Sequence, residues 1–177
     1  MSKMGKVTHI VQHYSATYED EDIGLEEIRE WHLNRKPPFK REGYHFIIRL
    51  DGTVEKGRPL TMVGAHVGGQ NQGKIGICVV GGLKRGHGNN VGFDTRTPAQ
   101  LKAQEKLIWE LLEKFPGAEV VGHKDLAATL CPGYDVRAWW KAVVERKEKE
   151  KQGGNPWAAL VAFVQGLAQL FKGKGTS

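Results

Sequence analysis

Short apolar runs of strand length alternate with stretches whose apolar residues recur every three to four positions. This alternation constrains the fold of the 177-residue chain more than any other feature. In residues 6–13, Val7, His9, Val11 and His13 share one parity and Thr8, Ile10 and Gln12 the other, which is the period of a strand. Residues 44–50 read as a second strand, and Asp51-Gly52 is a hairpin turn signal leading into 53–57. Residues 74–80 form a third, apolar strand closed by Gly81-Gly82, and 118–121 a short further strand. Helical periodicity fills the gaps. Leu25, Ile28, Trp31 and His32 follow an acidic run, Glu19-Asp20-Glu21-Asp22, that favours a helix dipole, and Pro37-Pro38 ends that helix. Thr97-Pro98-Ala99-Gln100 is a capping box with proline at the first helical position, opening a helix through Leu101, Leu107, Ile108, Leu111, Leu112 and Phe115. Asp135 caps a last helix bearing Trp139, Trp140, Val143 and Val144. No repeat interrupts the order. The pattern predicts one α/β domain over residues 1–152, a central mixed β-sheet flanked by α-helices.

Composition narrows the function classes. Residues 1–135 carry 18 Lys and Arg against 17 Asp and Glu, and residues 136–177 carry 8 against 3, so the net charge of +6 belongs to the C-terminal end. A near-neutral domain lacks the basic stripe of a nucleic-acid binder, and no nucleic acid is expected as partner. Two cysteines, Cys78 and Cys131, cannot make a disulfide-stapled scaffold. No run of 18 apolar residues suggests a spanning helix, and Met1–Lys6 shows no apolar signal core, so Sec-type export is not expected. Gly68-Gly69-Gln70-Asn71-Gln72-Gly73-Lys74-Ile75 nearly spells a phosphate loop, but Ile75 stands where Ser or Thr must hold magnesium, and a strand follows instead of a helix.

Beyond Gly153-Gly154-Asn155-Pro156, residues 153–177 read as a linker and a cationic amphipathic C-terminal helix. Trp157, Leu160, Val161, Val164, Leu167, Ala168 and Phe171 share one face. Fifteen helical residues reach only about 22 Å, short of the roughly 30 Å of bilayer hydrocarbon. With Lys147, Lys149, Lys151, Lys172 and Lys174 flanking it, the 157–172 segment is expected to lie on an anionic membrane or envelope surface. The competing expectation is that its apolar face packs on the domain or forms a dimer contact.

The chemistry rests on histidines and one cysteine. His13 closes the first strand, His123 closes the strand at 118–121, and Cys131 lies eight residues further, just before Pro132-Gly133. Strand ends on one side of a sheet converge, and two imidazoles with one thiolate suit a tetrahedral zinc that keeps a fourth position open for water. Cys78, inside an apolar strand, reads as core. Spacing alone suggests the site and leaves satisfied polar histidines as the alternative.

At Gly122-His123-Lys124-Asp125-Leu126-Ala127-Ala128-Thr129-Leu130-Cys131-Pro132-Gly133 the chain resembles the C-terminal zinc motif of the type 2 N-acetylmuramoyl-L-alanine amidases, the superfamily of peptidoglycan recognition proteins and small phage endolysins. The resemblance extends in order over residues 6–141, through His13-Tyr14-Ser15-Ala16-Thr17, Ile28-Arg29-Glu30-Trp31-His32, Gly43-Tyr44-His45-Phe46, Asp51-Gly52-Thr53-Val54-Glu55, Gly64-Ala65-His66, Asn71 and Ile75-Gly76-Ile77-Cys78. It implies one Zn²⁺ per chain held by His13, His123 and Cys131, with Tyr44 and Thr129 as catalytic hydrogen-bond donors and His66 in the substrate groove. Phage relatives commonly carry lysine at the position of Thr129, and a hydroxyl offers a hydrogen bond where lysine offers charge. The implied reaction is hydrolysis of the muramoyl–L-alanine amide of bacterial peptidoglycan. The implied setting is a monomeric phage or prophage endolysin, held in the cytoplasm of the producing cell until it reaches the wall. The alternative is a non-catalytic peptidoglycan-binding module. Binding-only members typically lack the cysteine, so Cys131 argues for the enzyme.

Overall fold

A computed structural model describes residues 2–89 and 91–153. The expected helix at 157–171 lies outside them. Among the described residues, seven strands and three helices run in the order β1 (His9–Tyr14), β2 (Thr17–Tyr18), α1 (Leu25–Asn34), β3 (Phe46–Ile48), β4 (Val54–Lys56), β5 (Lys74–Val79), β6 (Gly82–Leu83), α2 (Pro98–Lys114), β7 (Glu119–Gly122) and α3 (Val136–Gly153), with a 3-10 turn at His123–Asp125. The main sheet has the order β4-β3-β5-β1-β7. It is mixed, as expected: β3, β5, β1 and β7 are parallel, and β4 returns antiparallel through the Asp51-Gly52 hairpin. A separate two-stranded pair joins β2 to β6. The chain divides into two compact units, Met1–Arg137 and Ala138–Ser177.

Register assigns each side chain to a face. Parallel pairing aligns His13 with Cys78 and Cys78 with Ile47, so Val11, His13, Cys78 and Ile47 lie on one side of the sheet and Ile10, Gln12, Ile75 and Ile77 on the other. Helix α1 covers the first face by burying Ile28 against Ile47, Cys78 and Val80, which places Cys78 in the core as expected. The helix starts where the Gly24 N–H donates to the Glu27 carboxylate at 2.8 Å, and that of Leu25 to Glu55. Helix α2 covers the opposite face. Its Thr97 hydroxyl caps the Gln100 N–H while the Gln100 carboxamide bonds the Ile48 and Val80 carbonyls, tying the helix start to two strands. Gln104 reaches the buried Gln12 at 2.7 Å. The sheet is thus buried on both sides, which explains its near-continuous apolar strands.

Candidate metal centre

Parallel pairing of β1 with β7 runs from His9↔Glu119 to Gln12↔Gly122, so the next residues in register are His13 and His123. Their rings lie 4.6 Å apart, centroid to centroid, on the α1 side of the sheet. The segment after His123 then turns back: the His123 carbonyl accepts from the N–H groups of Leu126 and Ala127, and the Lys124 N–H donates to the Cys131 carbonyl at 2.8 Å. That closure returns the Cys131 thiol to the strand end. Nδ1 of His13 lies 3.7 Å from Cys131 Sγ, and the donor atoms of His13, His123 and Cys131 all fall within 4.8 Å of one another. A tetrahedral zinc with Zn–N near 2.1 Å and Zn–S near 2.3 Å needs nitrogen and sulfur about 3.6 Å apart. The donor set and its spacing fit zinc.

The surroundings prepare each donor. Burial, then neighbouring His66 and His123, holds the His13 imidazole well below its ordinary pKa, and burial lowers that of His123, so both rings are neutral and able to ligate. Burial pushes the Cys131 thiol up to about 12, opposed by the Tyr14 backbone N–H, which donates to Sγ at 3.4 Å. Metal binding at this site therefore displaces a thiol proton. On the other side of His13, Nε2 meets Nδ1 of His66 at 3.0 Å, and Nε2 of His66 meets the Lys74 carbonyl at 3.3 Å. The Asn71 side-chain oxygen holds the His66 loop by accepting the N–H groups of His66 and Val67 at 2.7 and 2.8 Å.

A cavity of about 490 Å³, bordered by His32, Arg35, Phe39, Tyr44, His66 and Asn71, opens beside these groups. The Tyr44 ring stands 5.1 Å from that of His13 and 5.4 Å from that of His32. Burial, and then the two thiols, raise its hydroxyl well above the ordinary range, so Tyr44 is a neutral donor. Arg35 stacks its guanidinium over Phe39 at 4.1 Å on the cavity rim. Thr129 is half-buried, and its oxygen accepts the Cys131 N–H at 3.2 Å, leaving its own proton to donate. Lys124 is exposed. His66 is buried with both ring nitrogens bonded inside the protein, so only its ring edge borders the cavity where a substrate contact was expected. His45 holds the Gly76 N–H on Nδ1 and the Met62 carbonyl on Nε2 and serves packing.

Residues 3–134 match the family model described as N-acetylmuramoyl-L-alanine amidase. The chain belongs to that amidase family. It is 41% identical over 140 residues to the endolysin of Klebsiella phage KP32, covering 79% of this chain and 89% of the relative. It is also 41% identical over 133 residues to the endolysin of Escherichia phage T7, covering 75% and 84%. Among solved structures, the N-acetylmuramoyl-L-alanine amidase LysC from Clostridium intestinale URNW superposes with a TM-score of 0.67 at 29% identity, covering 82% of this chain and 91% of that one. The chain is thus an amidase, and peptidoglycan is its substrate class.

The amidase brings together His13, His123 and Cys131 as expected, with Tyr44 beside them. Sequence reasoning missed the support of the site. Gly76 is a β5 residue whose absent side chain leaves room for the His66 ring, since a Cβ there would stand 2.6 Å from His66 Cδ2. A glycine inside an otherwise apolar strand is the signal that could have pointed to it.

Proposed function

We propose that this amidase is a zinc endolysin that cleaves the amide between the lactyl group of N-acetylmuramic acid and L-alanine. The observation that carries the reading is the His13–His123–Cys131 donor set, with His13 and Cys131 buried and His123 half-buried, beside a cavity bordered by Tyr44. His13, His123 and Cys131 would hold the metal. When bound, zinc supplies Lewis acidity and brings the pKa of a coordinated water to about 7. Tyr44, neutral at all working pH values, donates its O–H toward the oxyanion that develops on the lactyl carbonyl, and Thr129 offers a second O–H from the Cys131 loop. The Tyr14 N–H holds the thiolate charge of Cys131 in place. His66 forms part of the groove wall through its ring edge. No covalent enzyme intermediate is required.

The catalytic domain spans residues 1–152 in this reading, and 153–177 is an appended cationic segment directed at anionic envelope surfaces. The enzyme acts as a monomer and is stored in the cytoplasm of the producing cell until lysis. The test is metal content alongside turnover on a soluble muramoyl peptide. Wild-type protein should carry one zinc per chain, lose activity to a chelator and regain it on adding zinc. His13→Ala and Cys131→Ala should lose both metal and activity. Full activity in either variant, or in chelated protein, would exclude the reading.

A further inference from the structure

We infer that His66 is a positioning residue, which fixes the nitrogen that His13 presents to the metal by accepting His13 Nε2–H on its Nδ1 while donating its own Nε2–H to the Lys74 carbonyl. The inference rests on the metal-site reading above. The Lys74 carbonyl can only accept, so Nε2 of His66, 3.3 Å away, carries a proton. In a neutral ring that leaves Nδ1 of His66 as a lone pair, and Nε2 of His13, 3.0 Å from it, must be the donor. His13 is then held as the Nε2–H tautomer, with its Nδ1 lone pair facing Cys131 Sγ at 3.7 Å. The reverse arrangement sets the His66 Nε2 lone pair against a carbonyl oxygen. A doubly protonated His66 would put a buried cation beside the metal centre, which burial opposes. A ligand's second nitrogen bonded to an acceptor fixes its tautomer and raises its basicity, and losing that partner typically weakens metal binding about 10–100-fold.

The fold is built around this ring. A side chain at Gly64 would collide with it, and one at Gly76 would stand 2.6 Å from Cδ2 and 2.7 Å from Cγ. Asn71 clamps its backbone, and the His13 and His66 rings meet edge-on at 83°. His66 is 8% exposed and His13 1%, so water cannot readily replace the bond.

Two variants separate the hydrogen bond from packing. His66→Phe keeps an aromatic ring but removes the acceptor. His66→Asn places its amide oxygen near the position of Nδ1 and keeps it. Zinc affinity is read by competition with a chromogenic chelator, and the His13 tautomer of metal-free protein by ¹⁵N NMR. His66→Phe should bind zinc about 10–100-fold more weakly, while His66→Asn stays within a few-fold of wild type. Metal-free wild-type protein should show His13 protonated on Nε2. Wild-type affinity in His66→Phe, equal losses in both variants, or His13 protonated on Nδ1 in wild-type protein would overturn the inference. The last readout stands even if His66→Phe does not fold. A wild-type chain that binds no zinc would instead overturn the metal-site reading itself.

Discussion

Tyr44 stands beside His13 with its hydroxyl raised by burial, and no hydrogen bond among the described residues offsets that rise. Its proton is therefore free for the substrate. Tyr44→Phe should lower kcat about 10²-fold with zinc content unchanged, the effect of removing one oxyanion donor. Thr129→Ala should lower kcat with zinc also retained, and less severely than Tyr44→Phe, because Thr129 shares its oxygen with the Cys131 N–H. Steady-state kinetics with parallel metal analysis checks both, and a metal-free Thr129→Ala protein would contradict the division of roles. At this scale the proposed ligands were suggested by local features, since His13 and His123 close neighbouring strands and Cys131 follows at loop distance, but it was the family resemblance that singled them out from satisfied polar histidines. The bonding of His66 was not legible. Its partners, His13 and the Lys74 carbonyl, are set by the packing of a loop over Gly76, and no spacing in the chain encodes that.

Elements followed their local signals where those signals were strong. The Thr97 capping box starts α2 at Pro98, the Asp51-Gly52 turn joins β3 to β4, and the near phosphate loop leads into β5. The strand expected over 44–50 shortens to Phe46–Ile48, although the His45 and Tyr44 carbonyls still accept from Gly57 and Arg58 in the register of the β3–β4 pair. Trp31, part of the helical periodicity read for α1, is 46% exposed; Ile28 alone in that helix is buried, and His32 accepts the Gly43 N–H. The β2–β6 pair has two residues per strand, too short for any periodicity to announce it. The 153–177 segment makes its own prediction from charge and apolar patterning. Deleting it should abolish binding to anionic vesicles while leaving the melting temperature and the hydrolysis of soluble muramoyl peptide unchanged. Vesicle binding that survives deletion would contradict a membrane role, and a lowered melting temperature would indicate packing against the domain.

For the whole molecule, alternation of strands and helices sufficed to specify an α/β sheet covered on both faces, but the order β4-β3-β5-β1-β7 depends on pairings between distant segments that no local pattern carries. Burial of neutral histidines in this sheet makes folding sensitive to acid. His45 is pushed down to about 4 by burial, and His66 to about 3, whereas in the unfolded chain each titrates near 6.5. Between those values the unfolded chain holds more protons, so stability falls as pH drops below 6.5, by up to about 3 kcal/mol for His45 alone. Urea midpoints of metal-free protein at pH 7, 6 and 5 should decline, and His45→Gln should decline less steeply; parallel curves would contradict the assignment. Purified peptidoglycan digested with the enzyme should gain free L-alanine amino termini and no new reducing sugar ends, with the gain lost to a chelator and restored by zinc. New reducing ends without new amino termini would show that a glycosidic bond, and not the muramoyl amide, is the one cut.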